Sequence, residues 1–182
     1  MTIAGIGGFV AAWSTLGATA DGYSPVDDAI SRLAATGAPT RTAMTAGLLA
    51  LAGGVGAFGV SARAWLPGRG WIAALATAGA TVAVAAIPLG SPARDTAHGV
   101  AASAGYATLA AVPLLTVRPL FRDGHRAAAA ASAATGIATA ACLVATAFVE
   151  QRGLLQRAGL TITHAWIVAA TIQRRSGRGR SG

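Results

Sequence analysis

Seven polar side chains lie at or near the ends of long apolar stretches, and their types could build a binding or catalytic pocket. They are Asp28, Asp95, His98, Glu150, Gln156, Arg157 and His164. A carboxylate can orient a histidine that acts as a base, and a guanidinium can hold an anionic group. Polar groups beside hydrocarbon are costly unless they face water, a partner or a ligand. These residues therefore predict a ligand pocket.

The histidines also raise the alternative of a metal or haem site. His98 and His164 could together ligate one haem, or could join Asp95 around a metal ion. His125 falls in a loop on the opposite side, so a three-histidine zinc site is not expected. Because no ligand spacing typical of a metal or haem site accompanies them, we expect no metal and no cofactor.

One glycine-rich segment matches the sequence pattern of a nucleotide-binding motif. Residues 54–59, Gly-Val-Gly-Ala-Phe-Gly, match G-x-G-x-x-G. A dinucleotide fingerprint must follow a strand and open a helix, whereas this segment lies inside an apolar stretch. We interpret its glycines as small residues that let two helices approach closely.

Composition decides the class of protein that must position these residues. Of 182 residues, 54% are hydrophobic and only 11% are charged, which is too little charge to cover a water-soluble domain. The net charge of +8 comes from arginines between or beyond the apolar stretches, so it indicates topology and no nucleic acid is expected as a partner. The expected partners are the lipid bilayer and a small-molecule or lipid ligand, with homo-oligomers left open.

Six apolar stretches predict an all-α, polytopic integral membrane protein with a six-helix transmembrane bundle. They are bounded by charge or proline and lack the in-and-out alternation of barrel strands. The single domain covers residues 1–173, with spans at about 3–20, 42–62, 71–89, 98–117, 127–148 and 158–173. Small residues at 18–20 leave open that the first span is a cleaved signal peptide, although no positive charge precedes it.

Arginine placement predicts the orientation of the bundle. Segments 63–70, 118–126 and 174–182 hold nine arginines and one acid, whereas the opposite loops hold five arginines and five acids. The positive-inside rule then places both termini in the cytoplasm of a plasma-membrane protein. The basic tail, 174–182, has no apolar residue and is predicted to be disordered.

The opposite, outward side carries the candidate pocket. Ser24 and Pro25 resemble the start of a helix, which predicts a short amphipathic helix over about 25–36 on the outer surface. The candidate residues map to the outer ends of spans or to outer loops, with His164 about two turns deeper than Arg157. We expect Glu150 and Arg157 to form a pair there.

Several short motifs together resemble one family of bacterial membrane proteins. They are Tyr23-Ser24 with Ile30–Leu33 and Gly37, Pro88 with Asp95 and His98, and Glu150 with Gly153–Arg157. The chain resembles the six-helix proteins of the domain of unknown function 998 family over nearly its whole length. In that family a Phe-Pro-x-Asp stretch typically precedes the fourth helix, and here Ile87-Pro88-Leu89-Gly90 takes its place. The resemblance implies the architecture and the outer-side residues, and names no reaction.

Three functions fit these features. The first is a membrane protein without enzymatic activity that binds, senses or transports a small molecule or lipid through the outward-facing polar pocket. The second is a membrane-embedded enzyme acting on a lipid or headgroup at the outer leaflet, with Asp95 orienting His98 as the base and Arg157 holding the headgroup. The third is a structural or assembly subunit that packs through its glycine faces.

Overall fold

Six α-helices and one short 3-10 helix make up the computed structural model, which describes residues 1–178 and side chains through 176. The helices are α1 (Thr2–Thr19), α2 (Arg41–Ala62), α3 (Gly70–Ala86), α4 (Pro92–Arg122), α5 (Arg126–Ala145) and α6 (Arg152–Arg178), with the 3-10 helix at Ile30–Ala34. No strand occurs among these residues. The predicted all-α class is thus confirmed.

Length and composition make four of the helices able to cross a bilayer. These are α1, α2, α4 and α5, while α3 is apolar but only 17 residues long. Each helix packs mainly on its neighbours in sequence, and α6 closes the bundle against α4 and α1. Met1 and Thr2 line the same groove as Arg174 and Arg175, so both described ends of the chain lie at one end of the bundle, the terminal end.

Two helices are longer than their apolar stretches. Helix α4 begins at Pro92, where proline fits the first turn, so Arg94 and Asp95 belong to the helix rather than to the loop before it. Helix α6 begins at Arg152 and continues to Arg178. The tail predicted to be disordered from residue 174 is therefore helical through 178, because a hydrogen-bonded backbone needs no apolar side chains, and residues 179–182 lie outside the described part.

The predicted amphipathic helix over 25–36 is wrong. Residues 23–34, which we call the strap, form turns followed by the single 3-10 helix. Ser24 and Asp28 bond each other locally, since the Ser24 amide donates to Asp28 Oδ2 at 2.9 Å. Ile30 and Leu33 are each only 2% exposed, so the strap packs into one end of the bundle, the strap end.

Glycines set the distance between α1 and α2. A Cβ atom added to Gly54 would lie 2.9 Å from the Thr2 carbonyl oxygen and 3.0 Å from Gly5 Cα. This supports the interpretation of the glycine-rich segment as a packing surface, with backbones in direct contact.

Gly54→Ala should therefore destabilise the bundle although alanine favours helices. We expect the free energy of unfolding in detergent to fall by about 1 to 2 kcal/mol, because backbone on α1 must shift. Gly53→Ala is the matched control, since nothing lies within 4 Å of its Cβ position, and it should be neutral or stabilising by up to about 1 kcal/mol. Equal effects of the two variants would contradict the close approach.

Candidate functional site

A partly open cavity lies between the strap and five of the helices. The space open to the centre of a water molecule amounts to about 70 Å³. Its apolar walls come from α1, α2, α3, α4, α6 and the strap, and α5 contributes nothing. The polar residues that line it are Ser31, Thr77, Thr81, His98, Tyr106, Gln156 and His164. None of the lining side chains carries a fixed charge.

His164 lies deep in this cavity with an unmade hydrogen bond. Its side chain is 3% exposed, and the ring of Phe9 meets it edge-on with centroids 6.1 Å apart. Nε2 is buried and has no hydrogen-bond partner among the described residues. A buried polar atom without a partner costs roughly 1 to 3 kcal/mol, so Nε2 calls for a ligand atom or a water molecule in the cavity.

His98 lies nearer the strap end than His164 does. A hydrogen bond determines the tautomer of its ring. Nδ1 is 2.6 Å from the Ile87 carbonyl oxygen, and because a carbonyl only accepts, Nδ1 must donate. Nε2 of the neutral ring is therefore an acceptor. The predicted role of Asp95 in orienting His98 is wrong, since Asp95 is exposed and its Oδ1 accepts from the Gly90 amide at 2.8 Å.

Gln156 joins three parts of the structure at the cavity wall. Its Oε1 accepts from the Ile30 amide of the strap at 2.8 Å, and its Nε2 donates to the Tyr106 hydroxyl of α4. Sequence reasoning missed Tyr106. The available signal was its position two turns after His98 on the same face of α4, which a 3.6-residue period would have found.

Arg157 points away from the cavity and binds the strap. Its guanidinium donates to the carbonyl oxygens of Pro25 at 2.7 Å, Asp28 at 3.1 Å and Gly153 at 2.9 Å, and also to the Tyr23 hydroxyl. The side chain is 7% exposed. Arg157 is thus a structural tie between α6 and the strap.

Two aromatic rings enclose the same guanidinium. Arg157 Cζ lies 5.1 Å from the centroid of the Trp13 ring and 5.6 Å from that of Tyr23. Burial raises the pKa of the Tyr23 phenol, against the opposing effect of Arg157. Tyr23 therefore stays neutral and keeps its hydroxyl proton at physiological pH.

The remaining candidate residues lie outside the cavity. Asp28 and Glu150 line a separate groove at the strap end, where Asp28 pairs with Arg32 at 2.9 Å. The predicted pairing of Glu150 with Arg157 is wrong, because Glu150 is exposed and Arg157, among the described residues, binds carbonyl and hydroxyl oxygens. The structure thus brings together His98, Gln156 and His164 and leaves the four other candidates apart from them.

The register of α4 and α6 separates the two histidines. Both helices begin at the strap end, and the bond between Tyr106 and Gln156 aligns them. His98 precedes Tyr106 by eight residues and His164 follows Gln156 by eight, each about 12 Å of helix. No group of three metal-ligating side chains occurs within residues 1–178.

A family relationship accompanies this geometry. The sequence profile of one family matches residues 3–173, and that family is described as protein of unknown function (DUF998). Neither a curated protein nor a solved structure matches the chain.

Proposed function

We propose that this chain, which belongs to the DUF998 family, is an integral membrane protein that binds an uncharged small molecule or lipid in its interior cavity. The observation that carries the proposal is the buried His164 Nε2, which lacks a partner at the wall of a cavity. Isolated polar groups persist inside an apolar bundle when function requires them. The cavity residues described above are sufficient for binding, whereas catalysis would also require a reactive group.

In this proposal six helices cross the plasma membrane with both termini in the cytoplasm. The nine-to-one arginine excess supports that orientation, and so does the position of both described ends at the terminal end of the bundle. The strap then faces outward and covers the cavity. The ligand is then reached from the outer half of the membrane, which is compatible with sensing, storage or transport.

Purification tests the proposal directly. Protein extracted from membranes should carry a bound molecule that mass spectrometry detects, and His164→Phe should lower its occupancy about tenfold because one hydrogen bond is lost. His125→Phe is the matched control, since that histidine is exposed in the loop before α5. Unchanged occupancy in His164→Phe, with thermal stability retained, would contradict the proposal.

A second candidate, an enzyme acting on lipid at the outer leaflet, is favoured by His98. Its Nδ1 bond to Ile87 leaves Nε2 as a free acceptor at the cavity wall, which a general base requires. Incubation of the purified protein with a membrane lipid extract should then yield a new product, and His98→Phe should abolish it. A bound molecule released unchanged, with no product formed, would favour binding alone.

A further inference from the structure

The cavity is elongated along the helices. On α4 its lining residues run from His98 to Leu109, and on α6 from Gln156 to His164. These stretches span about 16 Å and about 12 Å of helix rise. Residues spaced by three or four along each helix form the walls, so the long axis of the cavity is parallel to the bundle.

The same cavity is narrow. The space open to the centre of a water-sized group is about 70 Å³, and if it extends over at least about 12 Å of helix its mean cross-section is about 6 Å² or less. That area admits the centres of one file of methylene-sized groups. A fused ring system would need more width than these walls leave.

The chemistry of the walls complements a mostly apolar, uncharged ligand. Ten of the seventeen lining residues are apolar, among them leucine, isoleucine, valine, phenylalanine and alanine, and no lining side chain carries a fixed charge. An ionised ligand group there would lose its hydration without gaining an opposite charge. Among the polar atoms that line the cavity, Nε2 of His98 toward the strap end and Nε2 of His164 in the depth can each accept a hydrogen bond.

We infer that the ligand is a single unbranched aliphatic chain that carries one neutral oxygen group, with the chain along α4 and α6 and the oxygen bonded to a histidine Nε2. This inference rests on the proposed function and specifies its ligand class. A free long-chain alcohol and the chain of an intact membrane lipid share this chemistry. The test therefore uses both sources.

Photolabelling of the full-length protein in detergent micelles tests the shape and charge of the ligand. The probe is a long-chain alcohol with a mid-chain diazirine, and we expect labelled peptides from α4 and α6 on the cavity side. Unlabelled 1-decanol should compete at about tenfold lower concentration than decanoate at pH 8, because the carboxylate must be desolvated. 1-Adamantanemethanol, which has the same hydroxyl on a wide cage, should not compete.

A matched pair of glycine variants tests whether the probe binds inside the cavity. Gly105 lines the cavity, and a Cβ atom there would make only ordinary contact with Ala80 Cβ at 3.5 Å, so the side chain in Gly105→Leu can start without a clash and should occupy the cavity. Labelling should fall about tenfold or more. Gly99→Leu makes the same change on the same helix where nothing lies within 4 Å, and labelling should stay unchanged.

The outcomes separate this inference from the proposed function. Competition by 1-adamantanemethanol equal to that by 1-decanol would overturn the chain inference and leave binding in place. So would a co-purified ligand of another shape that is lost in His164→Phe. Absence of both cavity labelling and any co-purified ligand would overturn both. A diazirine lipid in phosphatidylcholine vesicles that labels the same residues would identify the source as the bilayer, and labelling by the free alcohol alone would identify a free amphiphile.

Discussion

Arg157→Met should lower the free energy of unfolding in detergent by about 3 to 4 kcal/mol. Methionine keeps much of the side-chain volume but removes the guanidinium donors to the Pro25 and Asp28 carbonyls and to the Tyr23 hydroxyl. Hydrogen bonds from a charged group contribute about 1.5 to 3 kcal/mol each, and the contact with two aromatic rings adds to them. Thermal unfolding followed by circular dichroism would measure the loss.

Two variants show whether position or charge causes this effect. Arg152→Met removes the same charge five residues earlier on α6, where the side chain is exposed, and should change stability by less than about 0.5 kcal/mol. Glu150→Ala should also be near neutral, because Glu150 is exposed and does not pair with Arg157. A large loss in Glu150→Ala would mean that the two residues form an ion pair after all.

The sequence predicts the helices well because each of the six apolar stretches forms one helix. It misses the ends of α4 and α6, since polar residues such as Arg94 continue a helix into water without an apolar pattern. The conformation of the strap was not predictable from its own residues. Carbonyl oxygens at Pro25 and Asp28 find their donor on Arg157, about 130 residues away in sequence.

The candidate residues divide for a similar reason. His98, Gln156 and His164 come together because helical period alone aims them inward, and that period is visible in sequence. The helical period does not determine where the Glu150 and Asp95 side chains point, because at helix ends these carboxylates can face solvent or accept hydrogen bonds from nearby backbone amides. Tyr106 escaped notice because it carries no charge, and its role depends on the register of α4 against α6, which the bond to Gln156 defines.

The contact between the strap and α6 also depends on a residue that has no side chain. A Cβ atom on Gly153 would lie 2.4 Å from the Asp28 carbonyl oxygen, 2.8 Å from that of Pro25 and 2.9 Å from that of Val26. The next amide, of Leu154, donates to the Val26 carbonyl at 2.8 Å. Three carbonyls thus converge on the first turn of α6, whose free amides and positive dipole end attract them.

Gly153→Ala should therefore displace the strap and cost about 2 to 3 kcal/mol of unfolding free energy, although alanine is the better helix former. The three atoms in the way belong to backbone, so no side chain can rotate to make room. Gly99→Ala, whose Cβ would lie in open space on α4, should be neutral or stabilising by up to about 1 kcal/mol. Because the strap amide of Ile30 also bonds Gln156 at the cavity wall, Gly153→Ala should speed release of the bound ligand as well. A variant as stable as the parent protein, with unchanged ligand release, would mean that the strap lies farther from α6 than these contacts require.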